Sequence, residues 1–199
     1  MLEFKDKCVI GMDLAGLSRN PSGWALLKGN AVKTSLIYTD SEILENIVRS
    51  QPALIAIDAP LSLPEKSELF RKADREMIRK GYRMFPPNLP AMKKLALRAI
   101  RLNRLIEEKR YKTIEVHPTS TRKALQMPSK DWKAIQEILK TLGLKGELET
   151  NPLTTHEIDA ITAALTAVLH LKSQTEQVGD DEKGYVTVPK KRNWRTLTA

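Results

Sequence analysis

The chain has 199 residues, 41% of them hydrophobic, and one cysteine, which gives material for one sizeable core and excludes a disulfide framework or multi-thiolate metal site. No apolar run reaches the roughly 18–20 residues of a membrane span, and MLEFKDKC lacks the pattern of a secretory leader, so a cytoplasmic, membrane-free protein is expected. The formal net charge of +9 favours a polyanionic partner. In chain order, three β-like runs over 7–13, 23–27 and 32–38 are separated by the turn-rich GLSRNPSG and by KGN. Such short connections predict an antiparallel meander. DSEILENIVRS then reads as a helix capped by Asp40 or Ser41, with Ile43, Leu44, Ile47 and Val48 as its apolar face. ALIAID, ending on Asp58, reads as a fourth strand, and the strand–helix–strand order places it parallel to an earlier one.

A long basic region follows. LPEKSELFRKADREMIRKG predicts a helix closed by Gly81, YRMFPPNLP a proline-broken loop, and AMKKLALRAIRLNRLIEEK a second helix. Between residues 65 and 110 fourteen Lys/Arg stand against six Asp/Glu, so nearly all of the positive surplus lies in under a quarter of the chain. KTIEVHPTS reads as a fifth strand, SKDWKAIQEILKTLGL as a helix closed by Gly143, and THEIDAITAALTAVLHLK as the last clear helix. YVTVPKKRNW resembles a terminal strand with a basic tail, and GDD, with Asp180 and Asp181, a tight turn. The whole is expected to be one α/β domain, 1–199, with a basic helical insertion over 61–110 between strands 4 and 5.

Asp13, Asp58 and Glu115 each fall at or near the end of a predicted strand. Ligands of open α/β sheets gather outside the carboxyl ends of strands. Carboxylates on neighbouring strands repel one another, and a hard dication such as Mg²⁺ or Mn²⁺ relieves that conflict. Asp58 has a rival role, accepting backbone N–H bonds in a turn at Pro60. In the last helix, Thr154 to Glu157 is a T-x-x-E capping box, which assigns Glu157 to the helix end. Asp159 sits beside the core stripe of Ile158, Ile161, Leu165 and Val168, an acid directed at the sheet, with His156 on nearly the same face. His117, before a proline, is expected to be structural.

Taken together, IGMDLAG…SGWALL, IAIDAPLSLP, RKADREMIRKGYRMFPP, IEVHPTSTRKAL, HEIDAITAALTA and VGDDEKGYVTVP resemble the family called domain of unknown function 429, whose members are described as predicted nucleases with a ribonuclease H-like fold. The segments around Glu115 and Asp159 are similar, more distantly, to Holliday-junction resolvases. The resemblance implies a mixed five-stranded sheet flanked by helices and a metal set of Asp13, Asp58 and Asp159. His156 and Glu115 complete the expected catalytic group. It further implies hydrolysis of nucleic-acid phosphodiesters by two ions of Mg²⁺ or Mn²⁺. The basic region would then supply phosphate contacts through Arg71, Arg75, Arg79, Arg83, Lys94, Arg98 and Arg101, joined by Arg122, Lys123 and Lys130 near Glu115. Tyr82 and Phe85 are candidates for stacking on bases. Two other readings remain: a nucleic-acid-binding protein without catalysis, and a phosphotransferase of the actin-like or sugar-kinase type.

Overall fold

The protein is described by a computed structural model over residues 7–197; the first six residues of MLEFKDKC lie outside the described residues. β1 (Cys8–Asp13), β2 (Ser22–Lys28) and β3 (Ala31–Ile37) form the expected antiparallel meander. α1 (Asp40–Ser50) leads to β4 (Leu54–Asp58), which pairs parallel with β1. The cap of α1 lies one residue earlier than expected: the Thr39 hydroxyl accepts from Glu42 N, and Asp40 enters the first turn, where an acid suits the helix dipole. Val48, read as part of the apolar face, is exposed.

The basic region splits into two unlike parts. Only Lys72–Arg79 forms a helix (α2), and residues 65–71 do not join it. The Asn88 side chain takes the carbonyls of Glu65 and Glu68, while Arg71 stays extended as the residue preceding the helix. At the other end Tyr82 N reaches Met77 O and Gly81 N reaches Ile78 O, with Gly81 at φ +90°, so the expected glycine stop is present. α3 (Pro90–Glu108) carries Ala99, Leu102 and Ile106 into a cluster with Ile10, Ile55 and Ile57. It is therefore a core layer covering one face of the sheet, rather than part of an added basic arm.

β5 (Thr113–Val116) lies parallel to β4. The chain then forms α4 (Pro118–Ala124), α5 (Trp132–Thr141), the two-residue β6 (Lys145–Gly146), α6 (Glu147–Thr150) and α7 (Thr155–Leu171). β7 (Thr175–Asp180) and β8 (Gly184–Pro189) close it as a hairpin, before a 3₁₀ turn at Trp194–Leu197. The expected five strands become eight, ordered β6-β3-β2-β1-β4-β5-β8-β7. β6 is too short to leave a periodic signal, and TEQVGD in β7 lacks the apolar alternation by which strands are recognised. The expected tight turn is the hairpin connection, in which Asp180 Oδ1 accepts from Lys183 N at 2.8 Å.

The second face of the sheet is covered mainly by α7, which packs on Val9, Leu54, Ala56, Ile114 and Val116. Two glycines permit the close fit. A Cβ at Gly11 would lie 2.0 Å from the Ala160 carbonyl oxygen, and one at Gly23 would lie 2.0 Å from that of His156. Helix backbone therefore rests directly on β1 and β2, which only glycine allows. Among the described residues no helix is long and apolar enough to cross a membrane.

Candidate active site at the strand ends

Asp13 and Asp58 are register partners at the carboxyl ends of the parallel pair β1 and β4. Register partners project from the same face, and adjacent strands lie about 4.7–4.9 Å apart, so the two carboxylates stand side by side. Both belong to the face that α7 covers. His156, in the first turn of α7, contributes Nδ1 at 2.6 Å from Asp13 Oδ2. Asp159, nearly one turn further along, is bonded by Arg122 of α4. The capping box is formed as expected: Glu157 Oε2 accepts from Thr154 N at 2.9 Å and from its hydroxyl at 2.8 Å, so Glu157 is committed to the helix end.

The electrostatics follow from crowding. Burial, and then the charges of Asp13 and Asp159, push Asp58 well above the usual carboxylate range, against the pull of Arg122. Burial also raises Asp13; the His156 hydrogen bond opposes this and Asp159 adds to it. Asp58 accepts no side-chain or backbone hydrogen bond among the described residues, so its expected rival role in the Pro60 turn is not taken up.

Glu115 is placed differently. It pairs with Ile57, one position short of Asp58, and so emerges from the opposite face. There Arg71 Nη1 and Nη2 reach its two oxygens at 2.7 and 2.5 Å, and Leu61 N adds a bond of 2.7 Å. Arg71 also binds Asp74 through Nε and Nη2. Burial opposes the Arg71 charge, yet Glu115 and Asp74 outweigh it and raise the guanidinium further. Glu115, expected in the catalytic group, has both oxygens committed to this buried pair. His117 lies deep beside it, with Nδ1 2.7 Å from the Ser120 hydroxyl. Burial, followed by Arg122, lowers its pKa to about 4 against the pull of Asp74.

The expected phosphate contacts divide into internal and available cations. Arg71 and Arg122, each 1% exposed, and Arg98, at 7%, are internal. Arg98 binds Asp40 and the carbonyls of Ala15 and Tyr38. Arg122 binds Asp159, lies 5.1 Å from the Trp132 ring centre, and has a buried Nε with no hydrogen-bond partner among the described residues. These three are corrections: helical spacing marks which residues share a face, but not which face turns inward. Arg101 is exposed but leans on Asp40, Arg75 on Glu68, and Lys123 on the Gly81 carbonyl. Arg79, Arg83, Lys94 and Lys130 are exposed and form no ion pair among the described residues. The structural roles of Arg71 and Asp74 went unread, although their R-x-x-D spacing is that of a local ion pair.

Among the described residues, no three His, Cys, Asp or Glu side chains form a group arranged to hold a metal ion. The reason is visible in the contacts: Arg122 engages Asp159 and His156 engages Asp13. What remains is a pair of hard oxygen donors, one of them unpartnered and strained by like charge. Mg²⁺ needs only one or two protein carboxylates, because it keeps waters and binds substrate phosphates. The Asp13–Asp58 pair suits such an ion, while Asp159, the third acid of the expected metal set, is held by Arg122. Both residues line a cleft of ≈ 190 Å³ that Glu115 and Asp74 also reach, with Met84, Phe85, Met92 and Leu95 on its apolar side.

The family described as "Protein of unknown function (DUF429)" matches residues 11–183 of the chain. The structure of T. thermophilus RuvC in complex with Holliday junction substrate aligns with a TM-score of 0.53 and 17% identity, over 83% of this chain and 96% of that one. A second Thermus thermophilus RuvC structure gives 0.48 and 19% over the same shares. No curated protein matches the chain. The likeness to the first of these establishes a mixed α/β, RuvC-like fold and bears out the ribonuclease H-like class expected from the sequence.

Proposed function

The chain belongs to the DUF429 family, and from that premise we propose a metal-dependent nuclease that hydrolyses phosphodiester bonds of nucleic acid. The observation that supports this best is the in-register Asp13–Asp58 pair, whose unpartnered member is pushed toward its neutral form by burial and by three neighbouring carboxylates, Asp13, Asp159 and Glu115. Asp13 and Asp58 would hold Mg²⁺ or Mn²⁺, with Asp159 available wherever Arg122 releases an oxygen. A bound ion supplies Lewis acidity and a water of lowered pKa. A two-ion site requires the Arg122–Asp159 pair to part; a one-ion site does not.

The chain's own residues have separate tasks. Asp58 and Asp13 present the oxygens, and α7 fixes His156 against Asp13. His156, half exposed, keeps a second ring nitrogen for proton exchange. Arg122 neutralises Asp159, so an incoming phosphate meets less repulsion. Titrating Mg²⁺ and Mn²⁺ against single-stranded, duplex and branched DNA and RNA tests the reading. Asp13→Asn and Asp58→Asn should each lose at least about 100-fold in cleavage rate while retaining binding. A second reading, nucleic-acid binding without catalysis, is favoured by Arg122 acting as an internal counter-ion to Asp159. Undetectable cleavage of every form, with binding indifferent to divalent ions, would establish it.

A further inference from the structure

The cleft holding Asp13 and Asp58 has a second wall of opposite character. Met84 and Phe85, from the loop before α3, and Met92 and Leu95, from its first turns, line it together. Phe85 is 55% exposed, and its loop is braced: Pro87 is buried, Leu89 N bonds Pro86 O, and Asn88 bonds the carbonyls of Glu65 and Glu68. The ring is thus presented at the cleft by a tethered loop. One cation lies against it. Arg83 lies 5.6 Å from the ring centre, and Lys93 and Lys94 at the start of α3 are exposed without ion-pair partners among the described residues.

We propose that this wall receives an unpaired nucleobase, so the strand acted on is single-stranded or locally opened at the carboxylates. The inference rests on the phosphodiester reading above and adds the form of the substrate. A phosphate alone would find nothing to bind on an apolar wall, and its charge would favour Arg83 beside the ring. A base attached to that phosphate is flat, apolar on its faces and a few bonds away, which matches an exposed aromatic ring with an arginine beside it. In a duplex both faces of each base are already stacked and are denied to Phe85. Tyr82, the other aromatic of this segment, is buried beneath Lys191 and takes no part.

The test uses one oligonucleotide carrying a fluorescent adenine analogue, presented single-stranded and as a duplex, with the full chain and with divalent ions chelated so that nothing is cleaved. Stacking should quench the single strand on binding. Phe85→Ala should weaken that complex about tenfold or more and abolish the quench, with less than a twofold effect on duplex binding. Phe85→Trp should restore both properties. Leu97→Ala, at an exposed leucine of α3 outside the cleft lining, should change neither. Equal losses on both forms, no loss on either, or an undiminished quench in Phe85→Ala overturns the inference and leaves the nuclease reading untouched. Failure of Asp58→Asn to reduce cleavage would overturn the nuclease reading and leave these binding results standing.

Discussion

Two acidic clusters lie at the same edge of the sheet and have opposite fates. In one, Glu115 and Asp74 clasp Arg71, and each carboxylate oxygen accepts at least one hydrogen bond. In the other, Asp13, Asp58 and Asp159 share one internal arginine and one histidine, and Asp58 receives no hydrogen bond among the described residues. The deciding quantity is the supply of donors, since each cluster combines strand-end with helix carboxylates. A buried carboxylate with enough donors is structure. One short of donors is an unfilled demand for positive charge.

The comparison can be broken from either side. The largest effect is expected at Arg71: Arg71→Met leaves Glu115 and Asp74 buried and unpaired and should cost about 3–5 kcal/mol in urea unfolding, whereas Asp58→Asn should cost nothing at neutral pH. Equal destabilisation by the two would erase the distinction. Next is His117, whose pKa falls to about 4 in the fold. Its contribution is present above the ordinary histidine range near 6.5 and is lost as pH drops toward 4. His117→Asn should therefore flatten a stability slope of up to about 3 kcal/mol over that window.

Asp58 slopes the other way. Its pKa is raised in the fold, so its contribution is present below the ordinary carboxylate value near 4 and is lost as pH rises. Wild type and Asp58→Asn should match in stability at acid pH and diverge in favour of the variant toward neutrality. Mg²⁺ should raise the melting temperature of the wild type alone. Gly11→Ala sets a Cβ against the Ala160 carbonyl and should cost about 1–3 kcal/mol in urea unfolding. The smallest effect belongs to Glu157→Gln, which should lose at most about 1 kcal/mol and leave any cleavage intact.

Much of this was legible in the chain. The meander, the parallel return to Asp58 and the helix starting at the Thr154 capping box follow from turn chemistry and periodicity, while the grouping of Asp13, Asp58 and Asp159 with His156 came from the family resemblance. The rest depended on distant partners. The register placing Glu115 opposite Ile57 is a property of two strands together, and one residue of offset moved that acid to the other face. Arg71, Arg98 and Arg122 look like surface cations because charge is costly to bury; only the acids and carbonyls brought to them by folding make their burial tolerable.

The bare backbone contact between α7 and β1 has an engineering consequence. Since carbonyl atoms meet the strand with no side chain between, the spacing from Asp13 to His156 is gauged by main-chain dimensions. Core side chains elsewhere can then be exchanged for others of similar volume without resetting that gauge. The two glycines act as fixed shims, and the Asp13–His156 geometry is insulated from drift in the surrounding packing.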